Sequence, residues 1–114
     1  MARVLIADND PDALELALMD LELEGHTVLG ARDGEALLGL IDDFDPDVVV
    51  LDYRMPPGPT GLDVAAKLRG ERPDLHLVIY SNYQDIALVE RARALGVPFL
   101  PKGNLETLRA AVAT

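Results

Sequence analysis

The amino-acid sequence predicts a doubly wound α/β domain built on a parallel sheet, and three observations carry that reading. Short apolar runs rich in Val, Ile and Leu alternate along the chain with stretches of helical periodicity, a pattern that implies crossover connections between parallel strands. One run, Val48 to Leu51, is unbroken and largely β-branched, as suits a strand covered on both faces. That run closes on a single acid, Asp52, followed by a non-helical loop carrying Pro56, Pro57, Gly58, Pro59 and Gly61. A carboxylate held at the end of a buried parallel strand lies where open α/β sheets place their chemistry. The competing reading of Asp52 is a plain cap for the next turn.

A length of 114 residues suffices for one core and leaves no room for a second domain. With 49% apolar residues the chain belongs with folded globules, and with 4% aromatics its core is aliphatic. Lys and Arg number 10 against 20 Asp and Glu, a net charge of -10, which disfavours nucleic acid and anionic membranes as electrostatic partners. There is no Cys, which excludes disulfides, thiol chemistry and cysteine zinc sites. His26 and His76 have no metal-ligand spacing and read as surface or strand-edge residues. No apolar run approaches membrane-spanning length, and the N-terminal run is too short for a signal peptide. A cytoplasmic protein is the expectation.

Arg3 to Ala7 reads as the first strand, closed by Asp8-Asn9-Asp10-Pro11. Asp10 is the expected N-cap and Pro11 the first residue of a helix with Leu14, Ala17, Leu18 and Leu21 inward, stopped by Gly25. Residues 26–31 form a second strand. Asp33 caps a helix whose apolar face is Ala36, Leu37, Leu40, Ile41 and Phe44, and Asp45-Pro46 ends it. After the Val48–Leu51 strand, Leu62, Ala65 and Leu68 line a third helix ending near Gly70 and Pro73. Residues 75–80 are the fourth strand. A fourth helix turns Ile86, Val89, Ala92 and Leu95 inward, and Gly96 ends it. Residues 97–100 are a fifth strand with Pro98 inside it, as an edge strand allows. Asn104 then caps a last helix with Leu105, Leu108 and Val112 on one face. Five such units favour the flavodoxin-like strand order 2-1-3-4-5 with helices on both faces.

In that order the strand ends bring together Asp8 and Asn9, Asp52, Ser81 and Lys102. Each alone has a dull explanation: helix-start acids, an N-cap serine, a turn lysine. Together they suit a small anion and a hard divalent cation. Asp8, Asp52 and the Asn9 amide oxygen could hold Mg²⁺ (or Mn²⁺). Asp52 could attack phosphorus to give an aspartyl-phosphate, with Ser81, Lys102 and the cation neutralising the phosphoryl oxygens. Nothing resembles a base poised to cleave an organic substrate.

The chain resembles the receiver domain of two-component response regulators, the CheY-like family, from Arg3 to about Leu108. The matching pieces are VLIADNDP, PDVVVLDYRMP with the later Gly61, VIYSN, and GVPFLPK, in the family's order. The resemblance implies that Asp52 accepts a phosphoryl group from a histidine kinase or phosphotransfer protein. It places Asp8 and Asn9 at the acidic-pair positions that bind Mg²⁺, with Arg54 giving a backbone carbonyl. Ser81 falls at the hydroxyl position, Phe99 at the aromatic switch position and Lys102 at the lysine position. Output would pass to a downstream target or output domain through the face of helix 4, strand 5 and helix 5, with a homodimer through that face a further expectation. No direct nucleic-acid or membrane binding is expected of this domain. It reads as a signalling switch and not an enzyme, and the short last helix favours a receiver cut from a longer protein.

The sequence departs from the family's pattern at several points. Asn9 replaces an acid, which predicts weaker Mg²⁺ binding. The loop from Pro56 to Gly61 is one residue longer than usual, and Asn82 stands where a very small residue is preferred. Gly103, not proline, follows Lys102, so no cis peptide bond is expected there. Phe99 lacks a hydroxyl and reads equally as core. These departures motivate an alternative: a degenerate receiver acting as a phosphorylation-independent protein-binding module. An Asp-nucleophile phosphatase of the haloacid dehalogenase type fits less well, because it wants an acid where Arg54 stands.

Overall fold

The computed structural model describes residues 1–83 and 85–113. Strands β1 (Arg3–Ala7), β2 (Thr27–Ala31), β3 (Val48–Leu51), β4 (His76–Tyr80) and β5 (Phe99–Leu100) alternate with five helices. These are α1 (Pro11–Leu23), α2 (Gly34–Phe44), α3 (Gly61–Glu71), α4 (Ile86–Ala94) and α5 (Leu105–Ala113). Every strand pairing is parallel and the order is β2-β1-β3-β4-β5, as the sequence predicts. The order reverses between β1 and β3, which opens a crevice beyond their carboxyl ends.

The two-residue period of a strand divides the core in two. Leu5, Ala7, Val49, Leu51, Leu77 and Ile79 face one way and pack with Leu37, Ile41, Leu62, Leu68 and Ala92 of α2, α3 and α4. Val4, Ile6, Val48, Val50, Val78 and Tyr80 face the other way, against Ala17 and Leu21 of α1 and Leu108 and Val112 of α5. All four β3 residues are buried, and each large aliphatic side chain so covered contributes roughly 1.5–3 kcal/mol. This is why β3 reads as a run with no polar alternation.

Side chains satisfy the free amides at the helix starts. Asp10 Oδ1 accepts from the Asp12 and Ala13 amides, Asp33 Oδ1 from Ala36, Asp85 Oδ1 from Ala87 and Asn104 Oδ1 from Thr107. Thr60 and Asp63 form a reciprocal capping box on α3, so Thr60, and not Asp52, caps the helix after the acidic strand end. Each cap is worth about 1 kcal/mol. Asp45 ends α2 in the left-handed region at φ 51°, and Gly25 does the same after α1 at φ 97°. Neither histidine joins a metal-ligand set: His26 Nδ1 accepts from the Ala2 amide, and His76 opens β4 half-buried.

Several sequence expectations are corrected. Ile86 is not inward but 83% exposed. The inner side of α4 is Leu88, Ala92 and Leu95, packed on the α2–α4 side of the core. Ala36 is likewise exposed, and α2 buries Leu37 and Ile41. Strands β2 and β4 each begin one residue later than expected, and α3 ends at Glu71. Strand β5 contains only Phe99 and Leu100, so Pro98 precedes it. Its carbonyl still accepts from the Ile79 amide at 2.9 Å, while its missing N–H costs no ladder bond.

Candidate functional site

Register explains why two distant acids meet. Ala7 pairs with Leu51 across β1 and β3, so the next residues, Asp8 and Asp52, leave adjacent strands side by side. Each is pinned by its backbone: Asp8 N–H donates to the Ala31 carbonyl at 3.1 Å and Asp52 N–H to the Ala7 carbonyl at 3.0 Å. Both are buried, at 4% and 7% exposure. Asp8 Oδ1 also accepts from the Asp10 amide at 2.9 Å.

Lys102 enters from the loop after β5. Its Nζ lies 2.8 Å from Asp8 Oδ2 and 2.9 Å from Asp52 Oδ2, so one ammonium bridges two carboxylates and a net negative charge remains. Burial, the largest influence, raises the Asp8 carboxyl above its ordinary value. The Asp52 charge acts the same way, while Lys102 and the Asp10 amide oppose the rise. For Lys102 burial alone pulls the ammonium down, but its bonds to Asp8 and Asp52 outweigh this and leave the group raised.

Asp52 and Lys102 line a cleft of about 370 Å³ whose walls also include Asn9, Asp10, Arg54, Ser81 and Asn82, with Asp8 buried behind Lys102. Asn9 is exposed at the rim. Ser81 is buried, and its Oγ accepts from the Tyr83 amide at 3.2 Å. The structure thus brings Asp8, Asp52 and Lys102 into direct contact and sets Asn9, Arg54 and Ser81 around them. Phe99 lies apart, half-buried against the core and lining a separate hollow of about 380 Å³ with Val89 and Pro98. Among the described residues the cis peptide bond is Pro56–Pro57, and none falls beside Lys102.

Three features escaped the sequence reading. The rings of Tyr53 and Tyr83 stack at 5.3 Å between centroids with 14° between planes, and the Arg54 guanidinium lies 5.4 Å over the Tyr83 ring. The clue was available: both tyrosines closely follow the carboxyl ends of the neighbouring strands β3 and β4. Gly61 N–H donates to the Tyr53 carbonyl at 2.8 Å. A Cβ at Gly61 would stand 2.2 Å from the Asp52 carbonyl oxygen, so position 61 must lack a side chain. Finally, the Tyr80 hydroxyl accepts from the Gly103 amide at 2.9 Å.

No group of three His, Cys, Asp or Glu side chains is placed to hold a metal among the described residues. The oxygen donors that are present, two carboxylates with the Asn9 amide at the rim, nevertheless fit a hard divalent ion, which takes one or two carboxylates and keeps water in its remaining positions.

Fold and site define a doubly wound α/β protein with an acidic crevice closed by a lysine at its topological switch point. The chain belongs to the response regulator receiver domain family, whose model matches residues 4–113, and is a receiver of two-component signalling. It is 43% identical over 102 residues to the positive alginate biosynthesis regulatory protein of Pseudomonas aeruginosa, covering 87% of this chain and 40% of that one. It is 38% identical over 108 residues to the probable transcriptional regulatory protein NarL of Mycobacterium tuberculosis, covering 92% and 50%. The chain therefore spans half or less of the length of these two relatives. Among solved structures, the signal receiver domain of NarL from M. tuberculosis superposes with a TM-score of 0.86 at 34% identity, covering 98% and 93% of the two chains. The response regulator TrrA of Thermotoga maritima, in complex with Mg²⁺ and BeF, does so with a TM-score of 0.88 at 28% identity over 99% and 97%.

Proposed function

We infer that this receiver is switched by phosphorylation of Asp52, with a histidine kinase or phosphotransfer protein as donor. The observation that carries it is the Asp52 carboxylate, buried at a strand end, lining an open cleft and bonded to a lysine ammonium. A carboxylate oxygen attacks phosphorus, the O–P bond forms as the N–P bond of the donor phosphohistidine breaks, and the imidazole leaves. Little covalent work is needed beyond positioning and charge neutralisation. Lys102 meets the phosphoryl oxygens through the ammonium that now bridges Asp8 and Asp52. Ser81 turns its hydroxyl from the Tyr83 amide toward the phosphate.

Asp8, Asp52, Asn9 and the Arg54 carbonyl would hold Mg²⁺ or Mn²⁺. The ion, when bound, offsets negative charge on the phosphoryl group. Having an amide in place of a second acid weakens that hold. Asn9→Asp should raise magnesium affinity roughly tenfold, since ligand charge sets the affinity of such sites; unchanged titration calorimetry would refute this. Phe99 and the α4–β5–α5 face report the change by repacking, to a downstream target or to an output domain such as the regulators among its relatives would carry. A switch fed by a histidine kinase works in the cytoplasm, and no helix among the described residues is long and apolar enough to cross a membrane.

The test is intact mass after incubation with acetyl phosphate and Mg²⁺, with beryllofluoride binding in parallel. A gain of one phosphoryl mass that needs both magnesium and Asp52, and vanishes in Asp52→Asn, is expected. No adduct and no beryllofluoride response would overturn the reading.

A further inference from the structure

Lys102 must place one nitrogen between two carboxylates from a loop at the sheet's edge, and little regular structure holds that loop. Strand β5 pairs only through Ile79 with Phe99 and Tyr80 with Leu100. Beyond it, two consecutive amides are tied back to the end of β4. Lys102 N–H donates to the Ser81 carbonyl at 3.3 Å, a long bond. Gly103 N–H donates to the Tyr80 hydroxyl at 2.9 Å. The Tyr80 ring is 5% exposed and packed on the α1–α5 side of the sheet, so its oxygen is a fixed point. At φ +99° Gly103 holds a conformation that other residues rarely adopt. This sets the direction of the N–H, and a proline at 103 would have none to give.

We propose that Tyr80 is a positioning residue for Lys102: its hydroxyl anchors the Gly103 amide and so fixes the point from which the lysine reaches Asp8 and Asp52. The functional part of this proposal rests on the reading of Asp52 as phosphoryl acceptor; the structural part does not. A tyrosine that only filled the core would tolerate losing its oxygen. A tyrosine that anchors the loop does not.

The experiment uses Tyr80→Phe, which keeps the ring. In the metal-free protein the Gly103 amide should exchange with solvent about five- to tenfold faster, the worth of one half-buried hydrogen bond, while the Leu5 and Val49 amides keep their protection. With acetyl phosphate and Mg²⁺ the maximal rate should fall by a similar factor, with the donor concentration for half-maximal rate little changed. In a Lys102→Ala background Tyr80→Phe should add nothing. Unchanged Gly103 exchange overturns the anchor, and an equal slowing with Lys102 absent shows a general structural effect instead. If the unmutated protein accepts no phosphoryl group, the functional reading fails, and Gly103 exchange still decides the anchor. Should Tyr80→Phe not fold, 4-fluorophenylalanine at 80 fills the hydroxyl's space with a poor acceptor.

Discussion

Two trios of one cation and two carboxylates sit at opposite ends of the strands. At the carboxyl ends Lys102 spans Asp8 and Asp52 at 2.8 and 2.9 Å. At the amino ends Arg72 spans Asp42 and Asp45 at 2.8 and 3.3 Å. Distance makes them near equals; water separates them. The Lys102 side chain is 14% exposed and its partners 5% and 9%, whereas Asp42 and Asp45 are 89% and 82% exposed. Exposed pairs keep their hydration and are screened by salt. The buried carboxylates share one ammonium, with the Asp10 amide besides on Asp8, and carboxylates so far removed from water pull harder on any cation that reaches them. Solvent access, more than charge pattern, distinguishes a site from a surface.

The sharpest way to break this comparison is to remove each cation. Lys102→Met should cost roughly 3 kcal/mol in urea unfolding at neutral pH, because it strands two buried acids. A loss no larger than that of the matching Arg72 change would refute the contrast.

Next in size is Asp8→Asn. Burial raises the Asp8 carboxyl above 3.8, so the folded state holds that proton more tightly than the unfolded one. Its contribution to stability is therefore greatest below 3.8 and drains away as pH climbs through the folded value. Asp8→Asn should flatten that fall as pH climbs above 3.8 and leave stability at neutral pH equal or higher, while magnesium binding weakens. Parallel stability–pH curves for the two proteins would contradict it. The smallest effect belongs to Arg72→Gln, below about 1 kcal/mol and erased in high salt; a larger, salt-resistant loss would mean that the surface trio acts like the buried one.

Much of this was legible in the sequence, for reasons that differ by residue. The strand order and the meeting of Asp8, Asp52 and Lys102 follow from parallel topology, because parallel strands all deliver their last residues to one rim. The inward side of α4 was not legible. Ile86 with Val89, and Leu88 with Leu95, both recur at helical spacing, and periodicity cannot choose between two apolar faces on a helix this short. The Tyr53–Tyr83 stack and the Tyr80–Gly103 bond are contacts between loops and strand ends, where no period exists to be read. Strand β5 keeps only Phe99 and Leu100 paired with β4 because Pro98 and Pro101 on either side have no N–H to extend a ladder.

The contact of Gly61 with the Asp52 carbonyl constrains how such a chain can change by descent. Upstream, Met55 is buried in the core and Thr60 caps α3, so a change of loop length would have to fall on the residues between them. Position 61 has no such latitude: any side chain would push on the backbone that aims Asp52. Neighbouring positions are therefore held by different rules, a segment pinned at its two ends and one residue fixed in kind, and the Asp52 backbone keeps its place beside them.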